Sequence, residues 1–294
     1  ACLQVRRAAV KYTILGARGF IGSHVAAMAQ SMGHDVYTPD RNEDLRGLDL
    51  GHVVYSIGVT ADFRTRPYDT VTAHVTRLQQ ILTESRFESL VYLSSTRVYA
   101  RSGLVTGQPF SGSVQESSVT PVLSDDPGDL YNLTKLLGES IALLSWPRAK
   151  IARLSNVLGP DFKSDNFVIS VVRDSLQQGR VVLKSALTSA KDYIFVDDVA
   201  RAILMLSTNG RRRIYNVASG VNTTHGAIVR LVQELTEAEF FVEDGSPEVL
   251  FPRIDTSALV TDLDLTFQTV ETMIPRLVKD FRSFLSRQDL ETAQ

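Results

Sequence analysis

The glycines at 16, 19 and 22 constrain this chain most, because they fall where a short apolar run gives way to a helical pattern. Residues 10–15 have the length and flanks of a buried strand, and residues 20–32 carry small and apolar side chains at helical spacing before stopping at Gly33. Gly16 permits a tight turn, Gly19 lets backbone approach a ligand, and Gly22 allows the helix to pack closely on the strand. The amides of the first helical turn, at Phe20 and Ile21, then point at that ligand and favour an anion. A strand, a glycine turn and a helix in this order predict a pyrophosphate site, and so a bound dinucleotide.

The same alternation continues. Strands are expected at 34–38, 52–57, 90–94 and 150–154, with helices at 67–84 and 130–144. Strands separated by helices make right-handed crossovers and a parallel sheet. The fold class is therefore α/β, a doubly wound parallel (Rossmann) sheet whose ligands gather at the carboxyl ends of its strands. Residues 100–128 have no period and suggest a lid. After Gly159-Pro160 the pattern becomes irregular, with a helix at 167–178, a strand at 181–183 and a helix at 223–235. We expect a dinucleotide-binding domain at 9–160, rejoined by 191–220. A smaller interleaved C-terminal substrate lobe takes 161–190 and 221–290.

Bulk properties exclude several classes. A net charge of −2 gives no basic face for nucleic acid. Arg211, Arg212 and Arg213 form the densest basic run and read as a solvated loop. One cysteine excludes a disulfide framework, and none of the five histidines falls at ligand spacing, so no metal is expected. No apolar stretch reaches membrane-span length and no signal-peptide core is visible, which predicts a soluble, cytoplasmic protein without a membrane partner.

Chemistry enters at three further places. Asp40, at the end of the second strand, can accept from ribose hydroxyls and would repel a 2′-phosphate, which favours NAD. The neighbouring Arg41 is the residue that would serve NADP instead. Tyr131 and Lys135 are four apart in a helix and share a face, where the ammonium draws the phenol down from its usual pKa of about 10 towards useful acid/base chemistry. The strand at 90–94 ends in Ser94-Ser95-Thr96, hydroxyls that can hold a substrate oxygen.

Together these stretches resemble the extended short-chain dehydrogenases, the NAD-dependent epimerases and dehydratases of nucleotide sugars. Leu15-Gly16-Ala17-Arg18-Gly19-Phe20-Ile21-Gly22 resembles the family's fingerprint, Leu93-Ser94-Ser95-Thr96-Arg97-Val98-Tyr99 its active-site strand, and Tyr131-Asn132-Leu133-Thr134-Lys135 its Tyr-x-x-x-Lys element. Arg153-Leu154-Ser155-Asn156-Val157-Leu158-Gly159-Pro160 and Lys191-Asp192-Tyr193-Ile194-Phe195-Val196-Asp197-Asp198-Val199 resemble later segments, with Lys191 where the family usually has arginine.

The resemblance implies roles. Ser95 would orient a sugar hydroxyl, Tyr131 move its proton, and Lys135 bind the nicotinamide ribose and tune the tyrosine. Thr96, Asn156, Asn166, Lys191 and Arg253 would contact the nucleotide sugar. It also implies a homodimer through the helices at 67–84 and 130–144. Dehydratases of the family place an Asp-Glu pair directly after the active-site hydroxyl residue, and the related decarboxylases keep the glutamate. Here those positions are Thr96 and Arg97, neither of which can act as a base. The expected function is a nucleotide-sugar epimerase of carbohydrate biosynthesis. A net reductase or dehydrogenase on the same residues is the alternative, and a non-catalytic dinucleotide-binding protein the alternative from another class. The segment between Asp40 and His52 is too short for the family's usual third strand and helix.

Overall fold

The computed structural model describes residues 9–106 and 112–292. β1 (Lys11–Leu15) passes through the glycine turn into α1 (Phe20–Ser31), and β2 (Asp35–Tyr37) follows. After β3 (His52–Tyr55) comes a helical rod of three parts: α2 (Pro67–Val71), a π turn (Thr72–Thr76) and α3 (Arg77–Glu84). β4 (Ser89–Ser95) leads into a 3-10 turn (Thr96–Tyr99), α4 (Gly103–Thr106) and β5 (Ser113–Val114). α5 (Leu130–Ser145), β6 (Ala149–Leu154) and β7 (Asn156–Leu158) come next. The chain continues through α6 (Phe167–Gln178), β8 (Arg180–Leu183), β9 (Ala190–Phe195) and α7 (Val196–Asn209). It ends with β10 (Ile214–Val217), β11 (Asn222–Thr224), α8 (His225–Thr236), β12 (Glu239–Val242), β13 (Arg253–Ile254), α9 (Ser257–Leu263) and α10 (Val270–Thr292).

The main sheet is parallel and six-stranded, in the order β10-β6-β4-β3-β1-β2. Every residue of β3 and β6 is buried, as a sheet covered by helices on both faces requires. The connection from β1 runs outward to β2, whereas β3 lies on β1's other side. The order therefore reverses at β1, and the crevice at that switch is where such sheets take ligands. Between Asp40 and His52 there is no strand or helix, only an isolated bridge from Asp49 to Arg86. β2 is consequently the edge strand, and the buried Leu45 and Leu50 fill the space behind the short segment.

The chain divides into two compact units. The first comprises residues 1–95, 122–153 and 200–215, and the second 96–121, 154–199 and 216–294. The first has its core where Val53, Tyr55, Leu78, Ile81, Leu90, Tyr92 and Ile151 pack together. The second holds three small sheets, β11-β9-β7, β12-β8 and β13-β5, with α6, α8 and α10 packed on one another.

Three details add to the pattern read in the sequence. α7 and the 23-residue α10 were not visible in it; α10 contains Pro275, which breaks the usual helix signal. Arg211, Arg212 and Arg213 do lie exposed in the loop that enters β10, and the Arg213 guanidinium also donates to the carbonyls of Leu143, Trp146 and Ala149 and so closes the end of α5. The segment 100–128, read as a lid, is tied to the second unit at two described points. β5 pairs with β13, and Glu116 accepts from the Asn216 amide at 2.9 Å, while residues 107–111 lie outside the described residues.

Candidate active site

The glycine turn is built as tightly as its spacing implies. Gly16 has φ +88°, and a Cβ there would come within 2.9 Å of Ser56 Oγ and 3.0 Å of the Ile57 amide. A Cβ on Gly22 would overlap the Gly16 carbonyl, so this glycine serves the close packing of α1 on the strand ends. Gly19 is different, since a Cβ there meets only the Gly16 carbonyl, at 3.3 Å. The fold gives little reason for that glycine, and an approaching ligand supplies one. The first turn of α1 has neither a side-chain cap nor an acidic residue, which suits a pyrophosphate. By contrast α8 is capped by Thr224, and α6 by Asn166.

Asp40 is brought to this turn by an ion pair with Arg18, which sits inside the glycine motif itself. Arg41 and Asn42 line a cavity of about 360 Å³ with Ile57, Thr72, Ala73 and Arg77, at the ends of β2 and β3. The residues on either side of the switch point thus fit a dinucleotide.

At the end of β4 successive side chains face opposite ways. Ser94 is buried and donates to Glu139 Oε1 at 2.5 Å. Ser95 follows on the other face, and Thr96 is buried at the start of the 3-10 turn. In α5, Tyr131 is buried against Val59 and Phe63. Lys135, one turn on, is 4 % exposed and donates from Nζ to the Leu93 carbonyl at 2.9 Å. Its ammonium lies 5.9 Å from the centre of the Tyr131 ring. Burial pulls this lysine down to about 7, with Glu139 opposing the shift. Glu139 is itself held by Arg153, whose Nε and Nη2 reach its two oxygens at 3.0 and 2.6 Å, both side chains being buried.

The second unit contains the other expected residues. Asn156 Nδ2 donates to the Asp192 carbonyl at 2.8 Å, and Arg253 Nε donates to the Gly220 carbonyl at 2.9 Å. Asp192 is buried, which raises its carboxyl, and it accepts from the amides of Ser219, Gly220 and Val221. Asn156 and Arg253 are therefore tied to one knot around Asp192. Asn166 lies apart from that knot, with its oxygen accepting from the Val168 amide. Lys191, next to Asp192, is half-buried and held below the ordinary lysine range by burial and by Arg97.

The NAD dependent epimerase/dehydratase family matches residues 48–218, more than half of the chain. The chain belongs to that family. It is thus an enzyme of the extended short-chain dehydrogenase type, and its cofactor is NAD. The matched span begins after the glycine turn, whose geometry is independent support. This epimerase/dehydratase is 25% identical over 242 residues to an uncharacterized 37.6 kDa protein of Escherichia coli O111:H-, covering 67% of this chain and 69% of that one. It is 26% identical over 142 residues to dTDP-glucose 4,6-dehydratase of Streptomyces griseus, covering 45% and 43%. Among solved structures, MoeE5 in complex with UDP-glucose and NAD superposes with a TM-score of 0.77 at 19% identity, over 94% of this chain and 99% of that one.

The sequence reading gave no role to three residues that the fold sets beside the expected ones: His74 against the Tyr131 ring, Glu139 against Ser94, and Asp192 against Asn156. Glu139 had one local signal, falling four residues after Lys135 on the same helical face. His74 had none, because the π turn that carries it shifts the helical phase. Asp192 was visible only as a member of the run at 191–199. Among the described residues no group of three His, Cys, Asp or Glu side chains is placed to hold a metal, and no helix is long and apolar enough to cross a membrane.

Proposed function

We propose that this enzyme is an NAD-dependent nucleotide-sugar epimerase, in which the first unit binds the dinucleotide and the second the nucleotide diphosphate. The observation that carries the reading is the outfit at the end of β4 and on α5. Ser95, Tyr131 and Lys135 are present, while Thr96 and Arg97 stand where an eliminating enzyme would need carboxylates. NAD, held by the glycine turn and Lys135, would supply the hydride acceptor that returns the hydride to the opposite face of the same ring carbon. Tyr131 removes the proton of the sugar hydroxyl and returns it afterwards. Ser95 holds that hydroxyl, and Lys135, with one of its three N–H bonds spent on Leu93, offers the others to the nicotinamide ribose. Gly16, Gly19, Phe20, Ile21 and Gly22 cradle the pyrophosphate. Asp40 accepts from the adenosine ribose, and Arg41 walls the adenine side. Asn156, Asn166, Lys191 and Arg253 serve the nucleotide diphosphate and Thr96 the sugar, which requires ligand to compete with the internal bonds of both asparagines and of Arg253.

A homodimer through the rod 67–84 and α5 is supported by exposed apolar side chains on these helices, Tyr68 at 86%, Leu137 at 50% and Leu144 at 85%. The test of the function is to offer UDP-, dTDP-, GDP- and CDP-linked hexoses and hexuronic acids with NAD+ and follow both sugar and absorbance at 340 nm. Inversion at one carbon without accumulating NADH is expected. Stoichiometric NADH would assign a dehydrogenase instead.

A further inference from the structure

The rod between β3 and β4 is irregular at one place. Residues Thr72–Thr76 form a π turn between two α-helical segments, and π turns inside helices gather at functional sites. Its unusual carbonyls are provided for. Tyr55 donates to the Ala73 carbonyl at 2.7 Å and Tyr92 to the His74 carbonyl at 3.2 Å, from two stacked rings on adjacent strands. Gly138 of α5 lies so close that a Cβ would overlap the Tyr92 hydroxyl and come within 2.9 Å of the His74 carbonyl. Strands and helix are thus shaped around this turn, and at its centre is His74, fully buried.

Both ring nitrogens of His74 are engaged. The Val59 amide donates to Nε2 at 3.2 Å, and since a backbone N–H can only donate, the ring proton sits on Nδ1. Nδ1 lies 2.8 Å from Thr134 Oγ1, which in turn lies 2.9 Å from the Leu130 carbonyl and 3.0 Å from that of Tyr131. The chain of bonds has one direction, from the loop after β3, through the neutral imidazole, to the first turn of α5. The ring also meets Tyr131 edge to face, 5.3 Å between centres at 88°. A Cβ at Gly58 would lie 3.3 Å from His74 Nε2 and 3.5 Å from Lys135 Nζ, so imidazole and ammonium flank the same backbone position.

We propose that His74 is a positioning residue for the tyrosine–lysine pair, locking the first turn of α5 to the Gly58-Val59 loop so that phenol and ammonium keep their separation in a dry setting. The proposal rests on Tyr131 being the proton carrier. His74 does not carry protons itself: burial and Lys135 together push its imidazolium down to about 3, so its ring stays neutral through the working range. Charged and titrating groups among the described residues near this corner include Lys135, 5.9 Å from the phenol ring, Glu139 one turn further along α5, and Tyr92 of β4, on which both Tyr131 and Glu139 act.

The test reads Tyr131 without any sugar. Protein labelled with 13Cζ-tyrosine and saturated with NAD+ has one resonance that disappears in Tyr131→Phe, and its pH titration follows that hydroxyl. His74→Phe keeps a ring of similar bulk but breaks the chain of bonds, admitting motion and water between phenol and ammonium. The Tyr131 titration should then move by about one pH unit from its wild-type position. His74→Asn, which retains an acceptor and a donor, should recover most of that shift. Thr134→Val, which removes the next link, should move it the same way and serves if the phenylalanine variant fails to fold. A folded His74→Phe, or in its place Thr134→Val, whose Tyr131 titrates within about 0.2 unit of wild type would reduce His74 to filler. Near wild-type turnover in Tyr131→Phe is a separate failure, since it removes the base assignment itself.

Discussion

The Tyr131–Lys135 corner and the Asp40–Arg41 corner stand at the same edge of one sheet but are built on opposite principles. In the first, Lys135 and Glu139 are each 4 % exposed, and bonds from Leu93, Ser94 and Arg153 fix them. In the second, the Arg18 and Asp40 side chains are 83% and 70% exposed, and the segment behind them has no strand or helix of its own. The difference matches the roles proposed for each. A group that moves a proton needs a fixed distance and a dry setting, whereas a carboxylate that greets a ribose can be set by the ligand on arrival.

The largest effect should come from the buried corner. Tyr131→Phe should lower kcat by about 10²- to 10⁴-fold, with NAD affinity and melting temperature nearly unchanged. Isothermal titration with NAD+ beside steady-state rates checks both halves, and a retained rate would break the contrast at once. Next is Glu139→Gln, which leaves the buried Arg153 guanidinium without its partner charge. A loss of about 3–5 kcal/mol in denaturant unfolding is expected. If the loss stays below about 1 kcal/mol, the corner is held by something other than this ion pair.

Lys135→Met sharpens the comparison through pH. A lysine whose folded pKa is lowered from 10.5 to about 7 binds its proton more weakly in the folded state, so its burial costs stability fully below pH 7 and progressively less as the pH rises towards 10.5. Replacing it by an apolar chain removes that cost and abolishes turnover. Melting temperatures should therefore favour the variant most at and below pH 7, with the gap narrowing above it. A gap independent of pH would show that the ammonium is not held at the depressed value. At the exposed corner, Arg18→Ala should change stability by less than about 1 kcal/mol, as surface pairs do. Asp40→Ala should shift the balance of NAD over NADP binding by about tenfold, read by titration with each cofactor. A large unfolding penalty from either would make that corner a structural clamp.

Legibility in the sequence followed the reach of each interaction. Gly16, Gly19 and Gly22, the Tyr131–Lys135 spacing and most elements up to β6 depend on neighbours a few residues away, and periodicity reports those. The Asp40–His52 shortage was also visible, because length alone decides it. α7 was not, because it follows β9 without a break and the apolar run through Ile194 and Val199 serves both periods. His74 carried no signal beyond its lack of ligand spacing, since its partners Val59 and Thr134 lie 15 and 60 residues away. Asn156, Asn166 and Arg253 were read for a ligand, while the fold also employs each in a bond to its own backbone.

The central claim is that the buried corner exchanges a hydride and a proton and eliminates nothing. It is tested most directly by incubating the NAD+-loaded enzyme in D₂O with the nucleotide sugar it binds best and following the ring protons by NMR. The account predicts inversion at a single carbon, retention of the original hydrogen there and no accumulation of NADH. A 4-keto-6-deoxy product, or release of carbon dioxide from a hexuronic acid, would contradict it.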